Sequence, residues 1–265
     1  MPDPAVSIVA AAHNEQGNVS RLVREIAAVM DPAETSYELI VVDDGSTDRT
    51  LAVLTEEATR DRRLRVVRMR HTPAGRGGGQ SAAFYAGIRA ARGEIIVMLD
   101  ADCQNDPTDI PPMIDRLRSG DADMIQGDRT GDRRDSFVRR QSSRAGRLGR
   151  RVLLGDTIRD TGCSLRVLTR AVAMALPLEF RGMHRFIPFT ARQLGFTVVE
   201  MPVRHRPRTA GRTKYGIANR AWTGFVDCLA VRWMRKRRSP VACDEVTVDR
   251  GDAVGVAEAT PEKIT

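Results

Sequence analysis

The stretch IVMLDADCQNDP, residues 96–107, changes from apolar to acidic within a few positions. Its first residues are typical of a buried strand, and Asp100, Asp102 and Asp106 follow directly. Like charges this close repel each other unless a cation lies between them. The stretch therefore predicts a strand whose carboxyl end binds a cation.

Strands and helices alternate on both sides of this stretch. Apolar runs predict strands at 6–12, 37–42, 63–69, 94–99, 123–126 and 196–203, and helical spacing of apolar residues predicts helices at 18–30, 50–60 and 80–92. This alternation predicts an α/β domain with a mostly parallel central sheet, helices on both faces and ligands at the carboxyl ends of the strands. Glu15 and Asp43 follow two of the strands, so we expect them beside Asp100.

The composition limits the partners and the compartment. The chain has 265 residues, a net charge of +8 and a pI near 10.0, which favours phosphates, nucleic acid or an acidic membrane surface as partners. Its four cysteines form no CxxC pair, which fits a reducing cytoplasm. No apolar run is long enough to cross a bilayer, so we expect no membrane span.

Six short motifs occur in a fixed order: AAHNE (11–15), DDGSTDRT (43–50), GQSAAFYAGI (79–88), LDADCQNDP (99–107), DTGCSLR (160–166) and RPRTAGRTKYG (206–216). Together they resemble the inverting glycosyltransferases of family 2, and most closely the polyprenyl-phosphate branch, the dolichyl-phosphate mannosyltransferase-like enzymes. The resemblance covers roughly residues 6–215 and implies the GT-A type of α/β fold.

The resemblance also implies a reaction and its cofactor: transfer of a single hexose from a nucleotide-diphosphate sugar, a UDP- or GDP-sugar, to a polyprenyl phosphate. It implies Mg²⁺ or Mn²⁺ held by Asp100, Asp102 and Gln104. Two carboxylates and an amide oxygen suit either ion, with the donor's phosphates as further ligands. The metal would neutralise charge on the leaving nucleoside diphosphate.

The remaining site residues are assigned from the same motifs. Those expected at the nucleotide are Ala11, His13, Asn14, Glu15, Asp43, Asp44 and Gln80. Ala11 and His13 replace the family's usual proline and tyrosine, which can alter how the base is held. Local turn chemistry is an alternative role for Asp44.

Several residues match positions that bind phosphate in the polyprenyl-phosphate enzymes: Arg129, Arg139, Ser143, Arg208 and Lys214. A phosphate monoester has a second pKa near ~6, so it is a ready nucleophile without a strong base. A sugar hydroxyl acceptor would instead need a carboxylate base, with Asp160 or Glu179 as candidates. We count Asp160 with Asp100 and Asp102 as catalytic, its role being to orient substrate or an arginine.

The organisation along the chain is predicted in three parts: a glycosyltransferase domain at 1–216, an amphipathic helix at 217–240 and a disordered tail at 241–265. Trp222, Phe225, Leu229 and Trp233 occur at helical spacing before a basic end. This pattern indicates either a helix lying on an anionic membrane surface or one docked on protein.

Two other functions stay open. One is a soluble glycosyltransferase acting on a hydroxyl of a small molecule or cell-envelope precursor. The other is a nucleic-acid-binding protein using the arginines of 129–151, which leaves the acidic residues unexplained. We expect the lipid-phosphate reaction at the cytoplasmic face of the membrane, with no nucleic-acid partner, and a homo-oligomer is left open.

Overall fold

The computed structural model describes residues 3–70, 72, 77–131, 137–207 and 217–239, and within these it leaves out the side chains of 137–145 and 217–222. The predicted tail at 241–265 lies outside this description. The predicted division into three parts stays a prediction.

Seven strands and eight helices alternate along the described chain, with short 3₁₀ turns at Pro107–Asp109 and Met183–Arg185. The strands are β1 (Val6–Ala12), β2 (Tyr37–Asp43), β3 (Leu64–Arg68), β4 (Ile95–Asp100), β5 (Met124–Asp128), β6 (Arg166–Thr169) and β7 (Val198–Pro202). The helices are α1 (Val19–Met30), α2 (Thr50–Arg60), α3 (Gln80–Ala90), α4 (Ile110–Arg118), α5 (Phe137–Leu154), α6 (Arg170–Ala175), α7 (Ile187–Gln193) and α8 (Ile217–Arg237).

One sheet contains all seven strands, in the order β3-β2-β1-β4-β6-β5-β7. Every pairing is parallel except those of β6, which runs antiparallel to β4 and β5. The prediction of a mostly parallel sheet is therefore confirmed. The carboxyl ends of the parallel strands and the amino end of β6 meet at one edge of the sheet.

Helices cover both faces of the sheet because alternate strand residues point to opposite sides. In β4, Val97 and Leu99 belong to one buried cluster, while Ile96 and Met98 belong to the other. Buried residues of α1 and α4 contribute to the first cluster, and those of α3, α6 and α7 to the second. The sheet is thus buried on both faces, and polar groups are directed to its edges.

The predicted strands are present to within a few residues, and so are the predicted helices. Five elements were not predicted: β6, α4, α5, α6 and α7. Strand β6 has only four residues, too few for its apolar pattern to indicate a strand. Helix α5 covers a segment that the sequence marked only as arginine-rich.

Candidate active site

The carboxyl ends of three neighbouring strands carry the predicted donor residues. Strand register places Ala11 opposite Asp100, and Ala12 opposite Asp43. The backbone of β1 continues this pairing past the strand ends, where Asp44 donates to the carbonyl of Ala12 at 2.9 Å. The predicted nucleotide and metal residues therefore lie along one continuous edge.

The turn after β1 is fixed by its own side chains. Asn14 has a φ of +59°, in the left-handed region where asparagine is tolerated. Its Oδ1 accepts a hydrogen bond from the Thr47 amide at 2.8 Å. His13 Nδ1 donates to the carbonyl of Asp44 at 2.6 Å. These contacts tie the loop after β1 to the loop after β2.

Asp44 holds the glycine-rich segment. Its two carboxylate oxygens accept from the amides of Gly78 (2.6 Å) and Gly79 (2.8 Å). Gly77 has a φ of +67°, and a Cβ there would lie 2.4 Å from Asp44 Oδ2. Asp44 is also buried. Because both of its oxygens accept hydrogen bonds from backbone amides, it stabilises the loop that leads into α3.

Two other predicted nucleotide residues have protein partners in the same loops. Asp43 is buried, and its Oδ1 accepts from the Ser46 amide at 3.3 Å. Glu15 accepts from Asn18 Nδ2 at 2.6 Å. Glu15 is partly exposed in the loop after β1, whereas Asp43 is 2% exposed, so their predicted contact with a nucleotide stays a prediction.

The acidic pair at the end of β4 is the electrostatic centre of the site. Burial and then the charge of Asp102 raise the pKa of Asp100 to about 6, although hydrogen bonds from Ser164 and Gln80 and the cation of Arg166 act in the opposite direction. Gln80, predicted at the nucleotide, donates its side-chain amide to Asp100 Oδ1. Gln80 thereby orients one carboxylate of the pair.

The turn that follows Asp100 presents the other predicted metal ligands. Cys103 has a φ of +56°, unusual for a residue with a side chain, so the turn is sharp. The Gln104 amide donates to Asp102 Oδ1 at 3.2 Å. This conformation keeps Asp102 beside Asp100.

A divalent cation suits this donor set. Among the described residues no three His, Cys, Asp or Glu side chains gather closely enough to hold a metal alone. Burial is the larger cause of the raised pKa of Asp100, and the nearby charge of Asp102 adds to it; a cation bound by both carboxylates would offset the second contribution. Mg²⁺ in particular commonly binds through one or two carboxylates plus substrate phosphates. The residues fit such an ion.

The other side of the edge carries a buried ion pair. Arg129, just after β5, donates from Nε and Nη2 to Asp160 at 2.8 and 3.1 Å. The Asp160 side chain is only 3% exposed and that of Arg129 12%. Asp160 engages two of the three guanidinium nitrogens, so it fixes the plane in which Arg129 presents the third. Arg129 is near enough to Asp100 for their charges to interact.

A buried polar network supports both sides, and sequence reasoning missed it. Gln126 donates to the carbonyls of Asp160 (3.0 Å) and Cys163 (3.2 Å) and accepts from Arg166 Nε at 2.8 Å. Arg166 also donates to the carbonyls of Thr161 (3.1 Å) and His184 (3.3 Å). Burial lowers the pKa of Arg166 to about 10, which still leaves it a cation at neutral pH. The motif DTGCSLR contained Arg166 but gave no sign of its partners.

The structure does not describe the side chains of four predicted phosphate-binding residues. Arg208 and Lys214 fall in the undescribed residues 208–216. Arg139 and Ser143 belong to α5, but their side chains are not described. Their roles therefore stay predictions.

Known proteins of similar sequence act on polyprenyl phosphates. The chain is 36% identical over 241 residues to the dodecaprenyl-phosphate galacturonate synthase of Rhizobium johnstonii, covering 89% of this chain and 69% of that protein. It is 36% identical over 214 residues to the undecaprenyl-phosphate 4-deoxy-4-formamido-L-arabinose transferase of Edwardsiella ictaluri, covering 80% of this chain and 63% of that protein. The chain thus spans only part of each relative.

Solved structures show the same fold. A crystal structure of glucosyl-3-phosphoglycerate synthase from Mycobacterium tuberculosis, in complex with Mn²⁺, UDP and glucosyl-3-phosphoglycerate, superposes with a TM-score of 0.61 at 21% identity. It matches 86% of this chain and 80% of that one. A further structure of that enzyme contains Mg²⁺ and UDP, with a TM-score of 0.63 at 20% identity over 86% of this chain and 79% of that one. The fold is thus of the GT-A type, and both of these structures contain a divalent metal together with UDP.

The family model for glycosyl transferase family 2 matches residues 7–176, which include the loops after β1, β2 and β4 and the Arg129–Asp160 pair. Together with the relatives above, this match shows that the chain is a glycosyltransferase belonging to family 2.

Proposed function

We propose that the chain transfers a single hexose from a nucleotide-diphosphate sugar to a polyprenyl phosphate, with inversion at the anomeric carbon. The observation that carries the proposal is the pairing of two sites on one sheet edge. Asp100 and Asp102 form an acidic pair suited to a metal-bound diphosphate, and Arg129 lies on the other side. The two relatives described above are named for polyprenyl-phosphate products or acceptors, which supports this acceptor.

Asp160 helps to choose between the two acceptor classes. A general base must be available to take a proton from a hydroxyl. Both oxygens of Asp160 are bonded to Arg129, and Oδ1 also accepts from the Gly162 amide at 3.1 Å. Glu179, the other candidate base, is exposed to solvent. A phosphate acceptor, already an anion near neutral pH, needs neither of them.

The chain's own residues then have separate roles. Asp100 and Asp102 would hold Mg²⁺ or Mn²⁺, which would supply positive charge beside the departing nucleoside diphosphate. Gln80 orients Asp100, and the loops after β1 and β2 receive the nucleotide. Arg129, aligned by Asp160, binds the acceptor phosphate so that its oxygen faces the anomeric carbon.

The direct test uses purified protein, a panel of UDP- and GDP-sugars, Mn²⁺ or Mg²⁺, and a short polyprenyl phosphate, with the product identified by mass. A polyprenyl-phosphate sugar is the expected product. Asp102→Asn should remove it, because one of the two metal-binding carboxylates is lost. Glycosylation of a hydroxyl acceptor in preference to the phosphate, or full turnover in a chelated buffer, would contradict the proposal.

We further propose that α5 and α8 bring the site to an anionic membrane surface on the cytoplasmic side. Phe225, Leu229 and Trp233 repeat every four residues on α8 and are 45%, 44% and 63% exposed. Helix α8 packs on α5, which exposes Leu148 (63%) and Val152 (72%). Within the described residues no helix is long and apolar enough to span a bilayer.

Basic residues accompany these apolar side chains, which matches an anionic lipid surface. The last turn of α8 contains Arg235, Lys236 and Arg237. Co-sedimentation with vesicles containing phosphatidylglycerol should fall for the double variant Leu229→Ser, Trp233→Ser, and Asp102→Asn should bind the vesicles like the unaltered chain. Equal sedimentation of all three proteins would mean that another surface makes the contact.

A further inference from the structure

Three consecutive residues after β7 attach to the loop that carries the metal ligands. The Arg204 amide donates to Asp109 Oδ2 at 2.8 Å. His205 forms an isolated antiparallel bridge with Asn105. The Arg206 amide donates to the carbonyl of Gln104 at 2.8 Å. A short segment of chain thus lies along the loop immediately after the predicted ligands.

Arg206 joins this loop to a second element. Its Nη2 lies 2.9 Å from Asp106 Oδ1, and its Nη1 lies 2.7 Å from Glu25 Oε2 on α1. Burial works against the ionised form of Asp106, yet its pKa lies below the ordinary value because Thr108 and Arg206 favour the carboxylate. One guanidinium therefore lies between two carboxylates, one of which, Glu25, also pairs through its other oxygen with Arg21 Nε at 2.7 Å.

The loop that Arg206 holds has an unfavourable backbone conformation at its centre. The left-handed φ of Cys103 persists only if its surroundings enforce it. On one side, Cys103 Sγ donates to the carbonyl of Asn18, the residue before α1, at 3.5 Å. On the other side, Arg206 binds the backbone of Gln104 and the side chain of Asp106. The direction of Asp102 and Gln104 depends on this turn.

We propose that Arg206 is a positioning residue for the metal site, acting through the Asp106–Arg206–Glu25 bridge to keep Asp102 and Gln104 in metal-binding orientation. The inference rests on the proposed function, since it concerns the same metal. Residues that orient metal ligands from behind typically change metal affinity about 10- to 100-fold when they are replaced. Loss of Arg206 should therefore weaken metal binding even where the protein stays folded.

The test measures binding of Mn²⁺ alone by titration calorimetry and by the electron paramagnetic resonance signal of free Mn²⁺, so that no activity is needed. Arg206→Gln should weaken Mn²⁺ binding by about 10-fold or more. Arg206→Lys keeps the charge but cannot bridge both carboxylates in the same way, and should give an intermediate affinity.

Arg204→Gln is the matched control. Arg204 also pairs with an aspartate of this loop, Asp109, but its side chain is 63% exposed and the pair lies beyond the metal turn. The Arg204→Gln variant should bind Mn²⁺ with an affinity within roughly twofold of that of the unaltered chain, as expected for loss of an exposed ion pair.

The outcomes separate the possible failures. An Arg206→Gln variant that binds Mn²⁺ as tightly as the unaltered chain, whatever its melting temperature, overturns the inference and leaves the proposed function intact. If the unaltered chain binds Mn²⁺ neither alone nor with UDP added, the metal-dependent function itself is wrong, and this inference with it. Should Arg206→Gln not fold, Glu25→Gln decides: a several-fold weaker affinity supports the inference, and an unchanged one overturns it.

Discussion

Asp160→Asn should destabilise the protein strongly while sparing much of its catalytic rate. The carboxylate accepts from Arg129 Nε, Nη2 and N at 2.8, 3.1 and 3.2 Å, and from the Gly162 amide at 3.1 Å. Asparagine keeps the shape and one acceptor oxygen but removes the charge. Arg129, with its side chain 12% exposed, would then be a buried cation whose ion-pair partner is gone.

The size of the effect follows from that burial. Breaking a buried ion pair by removing one partner costs about 3–5 kcal/mol, and the retained acceptor favours the lower end. We expect the free energy of unfolding to fall by about 3 kcal/mol in urea denaturation followed by circular dichroism. At ~2–4 °C per kcal/mol for a chain of this size, the melting temperature should fall by about 6–12 °C.

An exposed pair provides the contrast. Arg60 and Glu56 on α2 have side chains that are 61% and 59% exposed, so Glu56→Gln should cost less than about 0.5 kcal/mol. A loss below about 1 kcal/mol in Asp160→Asn would refute the reasoning. Kinetics add a second criterion: a positioning role predicts a raised KM for polyprenyl phosphate, whereas a fall in kcat of about 10²–10⁴-fold at unchanged KM would make Asp160 a general base.

Three further predictions concern the rest of the site. Because the pKa of Asp100 is raised to about 6, protons should compete with Mn²⁺ as the pH falls below 6, and the Mn²⁺ affinity measured by calorimetry should weaken by up to about tenfold per pH unit. The same shift means that the metal-free protein loses stability as the pH rises through 6. Affinity that is flat from pH 7 to 5 would count against it. Gly77→Ala should lower the melting temperature and weaken UDP binding, because the new Cβ would lie 2.4 Å from Asp44 Oδ2. Both effects should be smaller for Gly79→Ala, where no atom lies within 4 Å of the new Cβ and only the φ of +96° opposes the side chain. Arg166→Met should reduce the free energy of unfolding by about 3 kcal/mol or more, because it leaves buried acceptors without a donor, and a near-neutral effect in urea would mean that the network rearranges.

The strands β1, β2 and β4, whose loops carry the predicted donor site, were predictable because each is indicated by its own local sequence pattern. Strands β1, β2 and β4 are buried on both faces, so they appear in the sequence as continuous apolar runs that end in polar residues. The carboxyl ends of parallel strands must meet at one edge, which brought Asp43 and Asp100 into the same predicted site without any knowledge of tertiary contacts.

The contacts around Arg129 and Asp160, the predicted acceptor site, join residues that are distant in the sequence and so were harder to predict. Asp160 and Arg129 were both assigned, but their bidentate pairing depends on where β5 and the segment before β6 meet. Asp106 accepts locally from the Thr108 amide at 3.0 Å, but it also binds Arg206, a hundred residues away. No periodicity or spacing in a single sequence reports such pairs.

The reversed direction of β6 has a consequence for how such enzymes can diversify. Parallel strands bring to the edge the residues that follow them, whereas β6 brings the residues that precede it, from Asp160 to Ser164. In the proposed function, the loops after β1, β2 and β4 would bind the donor, and Arg129 with the segment before β6 would bind the acceptor. The two segments also touch, because Asn105 Nδ2 donates to Ser164 Oγ at 2.8 Å, so we expect substitutions that suit a new carrier to preserve this contact with the loop after β4.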